Sequence, residues 1–133
     1  MKKLWIAGLL LSAASAWAQQ FPLKPVTIVV PYPPSGSNDV FARAVGKKLS
    51  EAWKQPVIID NKPGASGSIG SAIVNRAAPD GYTLLFVSSS FTTAAAVQAS
   101  LPYDPVAGFS AVASVAKGPL VLTVKNDLPV KSV

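Results

Sequence analysis

The sequence predicts an α/β fold built on a parallel sheet of βαβ units. Two observations predict it. Short β-branched apolar runs alternate with stretches whose apolar residues recur three or four apart, and every change of period falls on a proline, glycine or hydroxyl cluster. Strands alternating with helices imply parallel strands joined by crossovers, so the first three strands share one sheet and point the same way.

Val26 to Val30 is the first strand, mostly apolar and β-branched as expected of a strand covered on both faces, and Pro31 closes it. Val40, Phe41, Ala44, Val45, Leu49 and Trp53 form the stripe of an amphipathic helix, with Asn38 or Asp39 as its N-cap and Lys47, Lys48 and Glu51 on the wetter side. Val57-Ile58-Ile59 is the second strand. Ile69, Ala72, Ile73 and Arg76 begin another helix that stops near Ala78-Pro79. Pro79-Asp80-Gly81 is a turn, in which proline pre-sets one dihedral and glycine supplies the left-handed one. Tyr82 to Val87 is the third strand, and Thr92 to Gln98 a short Ala-rich helix. Val112 to Val115 and Leu120 to Val124 read as two further strands, and Tyr82, Tyr103 and Phe109 as core.

The N-terminus sets the compartment. Met1-Lys2-Lys3, the apolar run Leu4 to Ala14 and the small-x-small site Ala16-Trp17-Ala18 form a secretory signal peptide over residues 1–18, cleaved near Ala18. The apolar run is shorter than the roughly 20 residues a membrane span needs, and no Cys follows it, so the expected product is exported, periplasmic and neither embedded nor lipid-anchored. Residues 19–133 have the length of one domain. The chain lacks Cys, so stability rests on an apolar core and not on disulfides.

Of the formal charge of +6, Lys2 and Lys3 belong to the leader, and the remaining cations are scattered with no run longer than Lys47-Lys48. Nucleic-acid binding needs a basic patch or stripe, which is not present in the sequence. A diffuse positive field favours an anionic ligand.

The site is expected at the C-terminal ends of the first three strands. Pro33-Pro34-Ser35-Gly36-Ser37-Asn38 follows the first, Pro63-Gly64-Ala65-Ser66-Gly67-Ser68 the second and Ser88-Ser89-Ser90 the third. Each is small and hydroxylated, and each leads into a helix N-terminus, where unpaired N–H groups and the helix dipole attract anions. Ligands of open α/β sheets bind outside the carboxyl ends of the strands. The candidate contacts are Tyr32, Ser35, Gly36, Ser37 and Asn38 in the first loop, Ala65, Ser66, Gly67 and Ser68 in the second, and Ser88, Ser89 and Ser90 in the third. Any one of these loops alone is also an ordinary connection; their convergence makes the case. Asn61 is expected to order its own loop through an Asx-type bond, and Lys62 to be solvated.

Catalytic motifs fail on chemistry. With no His and no Cys, Ser-His-Asp and Cys-His systems are excluded. Gly64-Ala65-Ser66-Gly67-Ser68 has Ser68 where a nucleophile elbow needs its last glycine. Gly64, Gly67 and Gly70 do not match a dinucleotide fingerprint, and the dispersed carboxylates form no Ca²⁺ loop. No cofactor, metal or catalytic residue is assigned. The competing class is a small secreted hydrolase or nucleotide-binding domain using Ser66 or the Gly64 to Gly70 loop.

Four ordered segments carry a family resemblance over nearly the whole mature chain: Phe21 to Gly36, Val57 to Gly70, Ala78 to Leu85 and Leu101 to Val106. They are similar to the signatures of Bug-type receptors of tripartite tricarboxylate transporters. The resemblance implies the first lobe of a type II periplasmic-binding-protein fold, which closes on a small carboxylate (a di- or tricarboxylate, aromatic acid or amino acid) and delivers it to an inner-membrane permease. It also implies a receptor and not an enzyme, with the three loops lining one side of the cleft. Ser35 and Ser66 stand where the family commonly has glycine, adding hydroxyl donors or narrowing the pocket. The family chain is more than twice as long, so residues 19–133 are expected to be a truncated first lobe with the start of the inter-lobe crossover, leaving sheet edges and apolar surface uncovered and function impaired.

Overall fold

The structure is a computed structural model and describes residues 21–98, 100–119, 121, 123–125, 127 and 129. The leader expected at residues 1–18 lies outside the described residues. Six main elements run in order: β1 (Val26–Val30), α1 (Ser37–Trp53), β2 (Val57–Asn61), α2 (Ser68–Asn75), β3 (Thr83–Leu85) and α3 (Ser90–Val97). A single 3-10 turn over Ala65–Gly67 leads into α2.

The sheet has the order β2-β1-β3 and both pairings are parallel, as the alternation of elements predicts. Val26 pairs with Val57 and Val30 with Asn61 on one side, while Thr27 pairs with Thr83 and Val29 with Leu85 on the other. The hydrogen bonding extends past β3, since the Thr27 N–H donates to the Tyr82 carbonyl at 2.8 Å and the Phe86 N–H to the Val29 carbonyl at 2.9 Å. As the central strand, β1 is buried on both faces: Ile28 and Val30 on one, Val29 on the other. This is why its sequence is an unbroken apolar β-branched run with no alternation.

Ile28, Val30 and Ala42 of α1 form the core cluster, with Tyr32, Leu49, Val57, Ile59, Leu84 and Phe86 packed around it. The expected stripe on α1 holds at Leu49, which packs on the core cluster, and is corrected at its N-terminal end. The buried face of the helix is Asp39, Ala42 and Gly46, while Val40 and Phe41 are exposed. The reason is steric: a Cβ at Gly46 would lie 3.0 Å from Ile59 Cδ1 and 3.3 Å from Val57 Cγ1, so small residues let the helix lie close on the sheet. Helix α2 follows the same rule, burying Ser68, Gly70, Ser71 and Ala72 and leaving Ile69 and Ile73 exposed. Neither Asn38 nor Asp39 caps α1. Gly36 holds the N-cap position, and the helix ends at Lys54, which turns left-handed and donates its N–H to Ser50.

Two aromatic clusters hold the ends of the sheet. Phe21 packs on Trp53 and Tyr82 where the strands begin. Past the strands' C-terminal ends, Phe91 of α3 stacks on Tyr103 and both meet Phe109 edge-on, so Tyr103 is buried as expected. Val112 to Val115 form no strand: they have no ladder partner among the described residues, and β-propensity makes a strand only beside one. Of the run Leu120 to Val124, positions 120 and 122 lie outside the described residues, and the others carry no ladder. No helix among the described residues is long and apolar enough to cross a membrane.

Candidate functional site

Parallel pairing puts the C-terminal ends of β1, β2 and β3 on one edge, and the three loops that follow meet there. Tyr32, the second residue after β1, joins them. Its hydroxyl lies 2.6 Å from Ser90 Oγ, and Ser90 Oγ is 3.0 Å from Ser88 Oγ. The Asn38 side chain donates to Ser88 Oγ at 3.4 Å, giving a second bridge from the first loop to the third. On the side of the second loop, a Cβ at Gly67 would come within 3.5 Å of Tyr32 Cε1 and 3.6 Å of Pro31 Cβ, so that loop packs directly on the tyrosine. Helix α3 stands beside the 3-10 turn.

Of the twelve expected residues, Tyr32, Asn38, Ser88 and Ser90 are therefore linked by hydrogen bonds, and Gly67 abuts them. Ala65, Ser66 and Ser68 share the turn with Gly67, but Ser68 is buried and spends its hydroxyl on the Ala65 carbonyl. Ser35 donates its N–H to Asp39, and the Gly36 carbonyl accepts from Val40. Ser37 and Asn38 begin α1, so their N–H groups have no partner within the helix. The carbonyl of Ser89 accepts from the hydroxyls of Thr92 and Thr93, and its own side chain is exposed.

The charges bordering these loops are paired. Arg43 Nε donates to Asp39 Oδ2 at 3.0 Å, and Lys62 lies 3.2 Å from Asp60. What the loops present to a ligand is mainly helix-start N–H groups and hydroxyls, a set that suits an anion and supplies no nucleophile with a base. A wide-open hollow of about 670 Å³ lies elsewhere, on the flank between α1 and β2 near Arg43, Lys47 and Ser50. It lies along the edge strand β2, and its lining mixes Arg43, Lys47 and Glu51 with Gly46, Val57 and Ile59.

Sequence reading missed how the first loop is held. Asn61 does not order its own loop. It reaches across the strand ends, donating to the Tyr32 carbonyl at 3.2 Å and to Asp39 Oδ1 at 3.0 Å, while its own oxygen accepts from Arg43 at 3.1 Å. Asp39 is almost wholly buried, and the hydrogen bond from Arg43, followed by that from the Ser35 N–H, lowers its pKa to about 2. The only trace of this in the sequence is an acid and an arginine four apart at a helix start.

A depressed carboxylate contributes stability that is complete above the unfolded value near 3.8 and is lost as pH falls through about 2. The protein is expected to lose urea resistance between pH 4 and pH 2. In Asp39→Asn the same titration has a shallower slope, with the remainder assigned to Asp80 and Asp104, which are lowered by backbone N–H bonds.

Three non-glycine residues of the site loops are left-handed: Ser35, Ala65, whose φ is 45°, and Ser66. Ser35 and Ser66 have φ of 69° and 56°, the left-handed region that disfavours side chains. Both are exposed. Ser35→Gly and Ser66→Gly are each expected to raise stability by about 0.5–1 kcal/mol, the relief of left-handed strain less the entropy of glycine, read as a higher urea midpoint.

Residues 41–133 match the family described as tripartite tricarboxylate transporter family receptor. Protein BugT of Bordetella pertussis is 38% identical over 122 residues, which is 90% of this chain and 37% of that protein. A protein encoded in the TAR-I ttuE-ttuC' intergenic region of Agrobacterium vitis is 37% identical over 136 residues, 99% of this chain and 39% of that one. The chain thus spans less than two-fifths of the length of these relatives. Among solved structures, the periplasmic binding protein BugD superposes with a TM-score of 0.64 at 36% identity, covering 67% of this chain and 30% of that chain. An R. palustris protein solved with adipate gives a TM-score of 0.61 at 35% identity over 64% of this chain and 29% of its own. MatC from the same organism, solved with bound malate, gives 0.59 at 37% identity over 64% and 29%.

Proposed function

We propose, from the premise that the chain belongs to the tripartite tricarboxylate transporter receptor family, that it takes part in binding a small carboxylate in the periplasm for delivery to an inner-membrane permease. One observation carries the reading. Three loops, each leading into a helix start, converge at the ends of parallel strands, the first and third tied by the Tyr32–Ser90 bond and the second packed on Tyr32 at Gly67. Helix N-termini and hydroxyls bind carboxylate oxygens without a formal positive charge. The adipate and malate found in two solved relatives support a dicarboxylate in particular.

In this reading, Ser35 to Asn38, Ala65 to Ser68 and Ser88 to Ser90 form one wall of the cleft beside Tyr32. Residues 19–133 belong to the first lobe, and the opposite wall is assigned to the further length that the relatives possess. Residues 1–18 are the export signal, removed near Ala18.

Calorimetric titration of the full protein with succinate, malate, adipate, an aromatic acid, amino acids and ATP tests the proposal. Saturable binding of a carboxylate that is recovered unchanged is the expected result. Consumption of the ligand, or binding confined to the nucleotide, contradicts it and favours the hydrolase or nucleotide-binding alternative.

A further inference from the structure

We propose that Asp39 is a positioning residue for the anion cradle, acting through a closed clamp with Arg43 and Asn61 that fixes the first loop against the end of β2. The inference rests on the receptor reading above and adds to it the group that gives the cradle its shape.

The clamp uses both Asp39 oxygens and the whole Asn61 amide, with Nε and Nη2 of Arg43 as its cationic donors. Asp39 Oδ2 accepts from the Ser35 N–H at 2.9 Å and from Arg43 Nε at 3.0 Å, while Oδ1 accepts from Asn61 Nδ2 at 3.0 Å. Arg43 closes the ring by donating Nη2 to Asn61 Oδ1 at 3.1 Å, and Asn61 Nδ2 also donates to the Tyr32 carbonyl at 3.2 Å. Three elements are joined in this way: the loop after β1, the first turn of α1 and the last residue of β2. The two loop groups that are gripped are the backbone atoms next to the candidate site. Ser35 is held by its N–H in a left-handed conformation that its side chain opposes, and Tyr32 is the residue whose hydroxyl reaches Ser90.

The carboxylate itself is 5% exposed, so it is hidden from a ligand. A buried carboxylate is tolerated only when paired and hydrogen-bonded, and here all its bonds end on groups that shape the loop. A core placed only for stability would favour an apolar residue at this position, next to Ala42 on the same helix face. The charge at Asp39 therefore serves orientation.

The test compares the full protein with Asp39→Asn, Arg43→Gln and the core control Ile28→Val, reading affinity for succinate, malate and adipate by calorimetry and exchange of the Ser35 amide by NMR. An asparagine at position 39 has one acceptor oxygen and no charge: with that oxygen at the Oδ2 position an N–H is turned on the Asn61 Nδ2 donor, and with it at the Oδ1 position the Ser35 and Arg43 bonds are lost, so the charge-assisted acceptor of the Ser35 N–H is weakened or removed either way. Asp39→Asn is expected to weaken binding about tenfold and Arg43→Gln several-fold, with faster Ser35 exchange in both. Ile28→Val loses stability while its affinity stays within about twofold. Unchanged affinity and unchanged Ser35 exchange in Asp39→Asn overturn the inference, and Arg43→Gln decides it on the same readouts should that variant not fold. A wild-type protein that binds no carboxylate refutes the receptor reading instead, and unchanged Ser35 exchange in the variants would then overturn the clamp separately.

Discussion

Ile28→Ala is expected to lower the stability of the protein by about 2–5 kcal/mol, measured as a fall in the urea midpoint at unchanged slope. Ile28 sits in the middle of the central strand, 3% exposed, and belongs to the cluster with Val30 and Ala42. Both neighbouring strands pair at its level, with Ile59 on one side and Leu84 on the other, so the backbone cannot move in to fill the space. Loss of the side chain removes contacts on the face that carries α1 and leaves a cavity under the helix. The small residues Ala42 and Gly46 have no atoms to reach into it. A loss below about 1 kcal/mol would mean that the sheet and helix collapse freely, and that the close packing described for α1 is wrong.

Gly70→Ala is the second large effect, at about 1–3 kcal/mol, although alanine is the better helix former. A Cβ at Gly70 would stand 2.7 Å from Pro31 Cβ, 2.8 Å from the Lys62 carbonyl oxygen and 3.0 Å from Pro31 Cα. These atoms belong to the ring of a proline and to main chain, and they come from the first and second loops. Relief of the clash must push the two loops apart, so carboxylate affinity is expected to fall together with stability. Gly46→Ala is the contrast. Its Cβ meets the far end of the Ile59 side chain, which can rotate away, and the helix gains propensity, so its net effect is expected to be within about 1 kcal/mol. Equal losses at the two glycines would show that rigid main chain is not what distinguishes them.

The parts of the fold that were legible in the sequence are those that hydropathy reports directly. β1 occupies Val26–Val30 as read, because a strand buried on both faces needs an unbroken β-branched run. The Pro79-Asp80-Gly81 turn was legible because Gly81 carries φ of 81°, a conformation that favours glycine. Which faces of α1 and α2 are buried was not legible. Val40, Phe41, Ile69 and Ile73 carry the apolar signal, yet close approach to the sheet selects Ala42, Gly46, Gly70 and Ser71, and a hydropathy pattern does not record closeness. Val112 to Val115 failed as a strand for a related reason, since composition does not say whether a ladder partner is present.

The site divides in the same way. That three loops share one edge followed from topology alone, because parallel strands must end together. The bonds that fasten them could not be read. Tyr32 to Ser90 spans 58 positions and Asp39 to Asn61 spans 22, and each depends on which strand ends stand beside which helix start. Asn61 and Asp39, read from local rules as a loop former and a cap, were drawn instead into one buried network.

The central claim is that the loops after β1, β2 and β3 present one shared surface to a carboxylate. Amide chemical-shift mapping of the full protein titrated with a dicarboxylate tests it most directly. The account predicts that the largest shifts fall together on residues 35–38, 65–68 and 88–90 and saturate with a single affinity. Shifts confined to one loop, or gathered on the α1 and β2 flank around Lys47 and Ser50, would contradict it.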